Sequence, residues 1–274
     1  MKKIKCGITG HTGSLGKILL KKSSSLKFKH FKGDITKIND VRKWIENNEF
    51  NYLIHLAAIV PIKEVNNDRK NAYNVNTLGT QNIVNTLLNV ENKVKWVFFA
   101  STSHVYSTSK KKLSEKSKVN PISFYGKTKY LAEKKLKKLN KKNIKVCIGR
   151  IFSTTNINQR KNYLVPDLKN KIKKRKGVIK LKNLNHYRDF ISIEDIAQII
   201  VYFLKKEIKG IINLSTGKAT NLGLIAYIIS KKYKKKIKIF ENDKPTSLIG
   251  NNSLLMKIYK RKLNLNLSKM IFKR

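Results

Sequence analysis

The chain has 274 residues, enough for a sizeable core and for two lobes. It carries 61 Lys and Arg against 16 Asp and Glu, a net charge of +45, which invites a nucleic-acid reading. The lysines are smeared over nearly every segment among abundant Asn and Ile, a pattern that reads as AT-rich codon bias. With no basic stripe interleaved with aromatics, the composition argues against nucleic acid as the main partner. The positive field would still draw in an anionic substrate.

In chain order, a short apolar run (Ile4, Cys6) leads into Gly7-Ile8-Thr9-Gly10-His11-Thr12-Gly13-Ser14-Leu15-Gly16 and then a helix over Leu15 to Lys22. Strand, glycine turn and helix form the arrangement a dinucleotide site needs. Gly10 permits the tight turn, Gly13 lets the backbone approach a pyrophosphate, and Gly16 lets the helix lie close to the strand. The first amides of that helix, Ser14 and Leu15, then face the phosphates. The spacing G-x-x-G-x-x-G differs from the G-x-G-x-x-G of most dinucleotide folds.

Further strands are expected at Phe28–Phe31, Tyr52–Val60, Val94–Ser101 and Val146–Ile151, and helices at Asn39–Asn48, Asp68–Leu88 and Ser123–Leu139. The Tyr52–Val60 run is continuously apolar, as in a strand covered on both faces. Such alternation predicts a Rossmann-like α/β fold, a doubly wound parallel sheet that binds ligands beyond its C-terminal strand ends. Those ends carry Gly10, Asp34, Ala57-Ala58, Ser101-Thr102-Ser103 and Arg150. After Arg150 the pattern loosens into a basic helix at Pro166–Lys176, a short strand at Gly177–Leu181, a helix at Asp195–Lys205, a strand at Gly210–Leu214 and short, irregular pieces from Thr220 onward. The expected division is a dinucleotide-binding domain over 1–151, rejoined by 190–214, and a smaller α/β substrate-binding lobe from 152–189 and 215–274.

The two cysteines, Cys6 and Cys147, fall in apolar strand-like runs without metal-ligand spacing and read as buried free thiols of a reducing cytoplasm. No metal site is expected. The N-terminal residues have charge but no long apolar segment, and no run reaches transmembrane length, so the expected setting is cytoplasmic and away from membranes.

Tyr125 and Lys129 stand four residues apart on one helix face. A phenol titrates near 10, so proton exchange at neutral pH needs a shift of roughly three units, about 4 kcal/mol. A neighbouring ammonium and a nicotinamide cation in a dry cleft would supply it. Ser101-Thr102-Ser103, directly after an apolar strand, places hydroxyls where the same substrate oxygen would lie. Asn76, on the helix before that strand, is of the kind that braces a neighbouring strand's backbone.

Taken together, T-G-x-x-G-x-x-G (Thr9–Gly16), G-D-I (Gly33–Ile35), H-L-A-A (His55–Ala58), N-x-x-G-T (Asn76–Thr80), S-T-x-x-V-Y (Ser101–Tyr106), Y-x-x-x-K (Tyr125–Lys129) and R-D-F-I-x-x-x-D (Arg188–Asp195) resemble the extended short-chain dehydrogenase/reductase family, NAD-dependent epimerases and dehydratases, over residues 4–215. The resemblance implies Thr102 as the catalytic hydroxyl with Ser103 as alternative, and Tyr125 as acid/base. It implies Lys129 on the nicotinamide ribose, depressing the Tyr125 pKa. Asp34 and Ile35 would meet the adenine, while Ala57, Ala58 and Asn76 would join the glycine turn around NAD or NADP. Arg188 would take a substrate diphosphate, and Asn162 and Tyr163 would reach the sugar and base. His104 occupies the place where dehydratases carry a Glu, which weakens a dehydratase reading, and it is a possible second acid/base. Asp195 is expected to cap the helix that begins at Ile196.

The stretch before Gly33 lacks an acid and offers Lys29, His30 and Lys32, leaving NAD and NADP open. The implied activity is a nucleotide-sugar epimerase, with a 4-keto nucleotide-sugar reductase of the dTDP- or GDP-6-deoxy-hexose type as alternative. A rival of another class is a non-catalytic nucleotide-binding or RNA-associated protein. A homodimer is the family's common assembly.

Overall fold

A computed structural model describes residues 3–157, 159–175 and 177–272. The chain opens with β1 (Ile4–Thr9), α1 (Ser14–Lys22), β2 (Leu26–His30), α2 (Ile38–Glu46) and β3 (Tyr52–His55). Two short helices, α3 (Ile62–Asn67) and α4 (Arg69–Tyr73), pass through a π-turn at Asn74–Leu78 into α5 (Gly79–Asn89), followed by β4 (Trp96–Thr102), α6 (Phe124–Leu136) and β5 (Lys145–Ile151). Next come β6 (Ser153–Thr155), α7 (Leu164–Lys174), β7 (Ile179–Lys182), β8 (Tyr187–Ser192), α8 (Ile193–Lys206) and β9 (Gly210–Leu214). The rest holds β10 (Ala219–Asn221), α9 (Leu222–Lys232), β11 (Ile237–Phe240), β12 (Ser247–Leu248), α10 (Ser253–Tyr259) and α11 (Leu267–Phe272).

The central sheet has six strands in the order β2-β1-β3-β4-β5-β9, and every pairing in it is parallel. Strand residues alternate between faces, so each apolar run feeds two cores. Ile54 and Phe98 pack on one face against α1 and α8 with Leu19, Ile196 and Phe203. Leu53, Val97 and Phe99 pack on the other against α2, α5 and α6 with Trp44, Leu87 and Leu136. The strand order reverses between β1 and β3, which opens a crevice beyond their C-terminal ends.

Beyond the sheet, β6, β10 and β12 all pair with β8, and β7 pairs with β11. A separate apolar core forms there, with Leu168, Ile172, Leu181, Ile225 and Ile229. The region after Thr220 is more regular than its sequence suggests, because α9 runs eleven residues and buries Ile225, Ala226 and Ile229 against α7. The C-terminal end expected for the basic helix, Lys176, lies outside the described residues.

Three expected elements differ, each for a side-chain reason. The Tyr52–Val60 strand stops at His55, because the amides of Leu56 and Ala57 turn to donate to Thr9 Oγ1 at 3.2 Å. The helix expected over Asp68–Leu88 runs continuously but widens into a π-helical turn at Asn74–Leu78, where the buried Asn76 amide bonds both the N–H and the C=O of Ile59 and reaches Thr128. Asp195 does not cap α8. Ser192 is the cap, accepting from the Asp195 amide, and the Asp195 carboxylate instead accepts from the Asn264 amide.

His55 is fully buried between Thr9 and Thr80, with ring nitrogens 2.7 and 3.0 Å from their hydroxyls. Burial, aided by Lys129, lowers its pKa from the usual 6.5 to about 3. An unfolded chain therefore binds more protons at this residue between those values, so His55 favours folding above pH 6.5 and loses that contribution as pH falls toward 3. In NMR titration of the folded protein, the His55 ring should show no protonation step between pH 8 and 5. A midpoint near 6.5 would refute the assignment.

Candidate active site

The glycine turn after β1 is built by close approach. Gly10 has φ +68°, and a Cβ there would lie 2.6 Å from the Ala57 nitrogen. A Cβ on Gly16 would lie 2.6 Å from the Gly10 carbonyl oxygen, so α1 starts directly on the turn. The Gly13 amide closes the turn by donating to the Gly10 carbonyl at 3.1 Å. No side chain caps α1, and its first residues Ser14 and Leu15 line the cleft. Uncapped amides and the helix dipole make this end suited to a phosphate.

The opposite wall comes from β4 and α6. Ser123 caps α6 by accepting from the Gly126 amide at 3.0 Å. Gly126 itself leaves no room for a side chain, since a Cβ would overlap the His104 carbonyl oxygen. That contact presses α6 onto the turn Ser103–Val105 and brings the Tyr125 phenol within hydrogen-bonding reach of the Thr102 side chain. The Thr102 hydroxyl oxygen also accepts from the His104 amide.

Burial dominates the electrostatics. It raises the Tyr125 pKa above the usual 10, with Tyr163 adding to the rise and Thr102 opposing it. Lys129 is 1% exposed, and burial lowers its pKa to about 7 against the opposing pull of Glu133. Its ammonium sits 4.0 Å from the Phe99 ring centre. Burial is the largest influence on Tyr125 in the free protein, and it stands there as a neutral phenol. His104 is half-buried, and desolvation with the nearby Arg188 guanidinium lowers its pKa to about 4. Its Nδ1 lies 3.1 Å from Ser123 Oγ and its ring meets Tyr125 edge to face, so at neutral pH it is an uncharged wall of the site.

Behind Lys129 lies a group that sequence reasoning missed. Glu133, 2% exposed, takes Arg150 in a two-pronged ion pair, Nη2 to Oε2 at 2.7 Å and Nε to Oε1 at 3.1 Å. The Ser101 hydroxyl donates to the same carboxylate at 2.5 Å. Arg150 Nη1 donates to the Tyr106 hydroxyl, which donates to Asn213 Oδ1, each at 2.8 Å. The available signal was spacing: Tyr125, Lys129 and Glu133 recur every four residues on one helix face.

These walls enclose a cleft of about 660 Å³, within the size range of ligand pockets. It brings together Gly10, Gly13, Ser14, Leu15 and Gly16 with Ala57 and Ala58 at the end of β3. It also holds Thr102, Ser103, His104, Tyr125 and Lys129 and, from the outer elements, Asn162, Tyr163 and Arg188. Glu64 and Arg160 join them unforeseen, Glu64 bonded to the Asn162 amide. Three expected contacts are not in this cleft. Asn76 is consumed as a brace, Ile35 is buried against Gly79, and Asp34 is an exposed loop residue whose carboxylate accepts from Thr36. Arg188 does not pair with Asp189. Its guanidinium bonds Tyr187 O and Thr246, while the Asp189 carboxylate accepts amides of Thr216, Gly217 and Gly250 and the Thr216 hydroxyl. Among the described residues no helix is long and apolar enough to cross a membrane.

A parallel doubly wound sheet with a glycine turn under an uncapped helix defines a nucleotide-binding α/β protein of the Rossmann type. The model of the NAD dependent epimerase/dehydratase family matches residues 6–215, and the chain belongs to that family. Over 266 residues it is 27% identical to GDP-6-deoxy-D-talose 4-dehydrogenase of Aggregatibacter actinomycetemcomitans, spanning 92% of this chain and 90% of the relative. It is 26% identical to N-acetyl-alpha-D-glucosaminyl-diphospho-ditrans,octacis-undecaprenol 4-epimerase of Escherichia coli O157:H7, over 81% of this chain and 67% of that one. The fold matches that of RMD from Pseudomonas aeruginosa, solved with NADPH, with a TM-score of 0.87 over 98% and 96% of the two chains at 16% identity.

Proposed function

We propose that this protein is an NAD(P)H-dependent reductase of a nucleotide-linked 4-keto sugar, or in reverse a 4-dehydrogenase. The observation that carries the reading is Tyr125, a buried neutral phenol against Thr102 at the mouth of the glycine turn. A ketone gaining hydride needs a proton on its oxygen, and a neutral phenol is the donor for that step. The glycine turn and uncapped α1 fit a dinucleotide pyrophosphate, because side chains there would fill the space the backbone leaves. When bound, the nicotinamide supplies or accepts the hydride. Thr102 and Tyr125 hold the sugar oxygen, and Tyr125 gives its proton to it in reduction or takes it in oxidation. Lys129 lies one helical turn behind and serves the ribose side. Arg188 and Arg160 offer guanidinium groups to the diphosphate. The elements that share the outer core, α7, β7, α9, β11 and α11, form the sugar-nucleotide lobe, while α10 packs on the central sheet through Leu255 and Tyr259. The relative matched along nine-tenths of both chains is a 4-dehydrogenase, which agrees with this outcome.

Epimerisation is the second reading, supported by the 4-epimerase relative and by the same Thr102, Tyr125 and Lys129, which serve both reactions. The test is stoichiometry. With GDP- and dTDP-linked 6-deoxy-4-keto hexoses, the reductase consumes one NAD(P)H per sugar, followed by loss of absorbance of the reduced cofactor. Exchange between sugar isomers without net consumption would establish the epimerase instead. Binding without turnover across nucleotide sugars would leave a non-catalytic nucleotide-binding protein.

A further inference from the structure

The dinucleotide reading just given leaves the adenosine end of the cofactor unspecified, and the end of β2 bears on it. In this fold an acid near the end of the second strand, about 20 residues after the glycine turn, receives a ribose 2′-hydroxyl, and a basic group there accommodates a 2′-phosphate. In this chain β2 ends at His30, level with Ile8 of β1 and so beside the glycine turn. No carboxylate occurs between Leu26 and Lys32. The first acid after β2, Asp34, is turned to Thr36, and the next, Asp40, accepts from the Asp34 amide.

What stands at the strand end is a pair of imidazoles. His11, the residue after Gly10, stacks on His30 with ring centres 4.6 Å apart and planes within 17°. Neither ring makes a hydrogen bond among the described residues, and His11 Nδ1 is shut away from solvent without a partner. Partial burial, then the neighbouring His11 and Lys32, hold the His30 pKa below 6.5. His11 and Lys32 disfavour protonation of His30, and the strand end offers a ribose hydroxyl no carboxylate of its own. A dianionic group placed on them reverses that penalty.

We infer that the cofactor is NADP(H), its 2′-phosphate held by the imidazoles of His11 and His30 with Lys32 completing the anion site. The pair also makes the preference pH-dependent. Phosphate binding favours a protonated His30, so affinity for the phosphorylated cofactor is higher near pH 6 than at pH 8, where that ring has lost its proton. Affinity for NADH, which places no phosphate there, stays level.

The experiment is calorimetric titration of the full chain with NADPH, NADH, 2′,5′-ADP and ADP at pH 6.0 and 8.0. NADPH is expected to bind at least tenfold tighter than NADH at pH 6.0, with the ratio shrinking at pH 8.0, and 2′,5′-ADP to outbind ADP in parallel. His30→Ala should lower NADPH affinity about tenfold and leave NADH affinity unchanged, whereas His30→Asp should invert the preference. Equal or tighter NADH binding, or an equal loss of both cofactors in His30→Ala, overturns the inference while leaving the dinucleotide site standing. Failure of both cofactors to bind removes that site and the inference with it.

Discussion

Replacing Tyr125 with Phe is expected to lower kcat by about 10²–10⁴-fold, the range that a positioned general acid or base contributes. The substitution removes one oxygen and keeps the ring, which packs with Val65 and Ala72 and meets His104 edge to face. The fold and the cofactor affinity should therefore stay as they are, and KM for the sugar should change by only a few-fold. His104, held down to about 4, has almost no protonated form, and Lys129 stands a helical turn away from the Thr102 contact. The check is steady-state kinetics on the reductase reaction together with calorimetric cofactor affinity. A variant retaining activity within threefold would remove Tyr125 from the chemistry.

A second large effect is expected on stability. Arg150→Met should destabilise the fold by about 3–5 kcal/mol, the cost of leaving a buried charge without its partner. Glu133 is 2% exposed and would keep only Ser101, and Tyr106 would lose a donor. Glu133→Gln paired with Arg150→Met removes both charges and should recover part of the loss, a coupling that a double-mutant cycle by urea unfolding measures. Simple additivity of the two single changes would mean that the pair is not a unit. The network also reaches the site. Glu133 is the group that opposes the lowering of the Lys129 pKa, so Glu133→Gln should lower it further and shift any pH profile that reports Lys129 toward acid.

Much of the site could be read from residue order because its parts are local. The turn Gly10–Gly16 needs only backbone freedom at fixed intervals. Tyr125 and Lys129 are placed on one face by helical periodicity alone, and the Ser101–Ser103 hydroxyls follow an apolar strand whose end is visible in the pattern. The continuous apolar runs at Tyr52 and Val97 announced strands buried on both faces. What failed was where local and distant claims compete. The strand from Tyr52 ended early because Thr9, forty-odd residues upstream, takes the amides of Leu56 and Ala57. The helix from Asp68 widened into a π-helical turn where Asn76 bonds Ile59 and Thr128.

Residue order sets the parallel α/β architecture, the glycine turn and the phenol–ammonium spacing, since these depend on periodicity and on conformational freedom at single residues. Folding in three dimensions sets the side-chain partners and the direction of each pKa shift. It buried Tyr125 and Lys129 deeply enough for desolvation to set the direction of both pKa shifts, joined Glu133 to Arg150 across the core, and stacked His11 on His30 at the end of a strand. Each of those outcomes depends on distance and burial between residues far apart in the chain, which residue order alone does not encode at any fixed spacing.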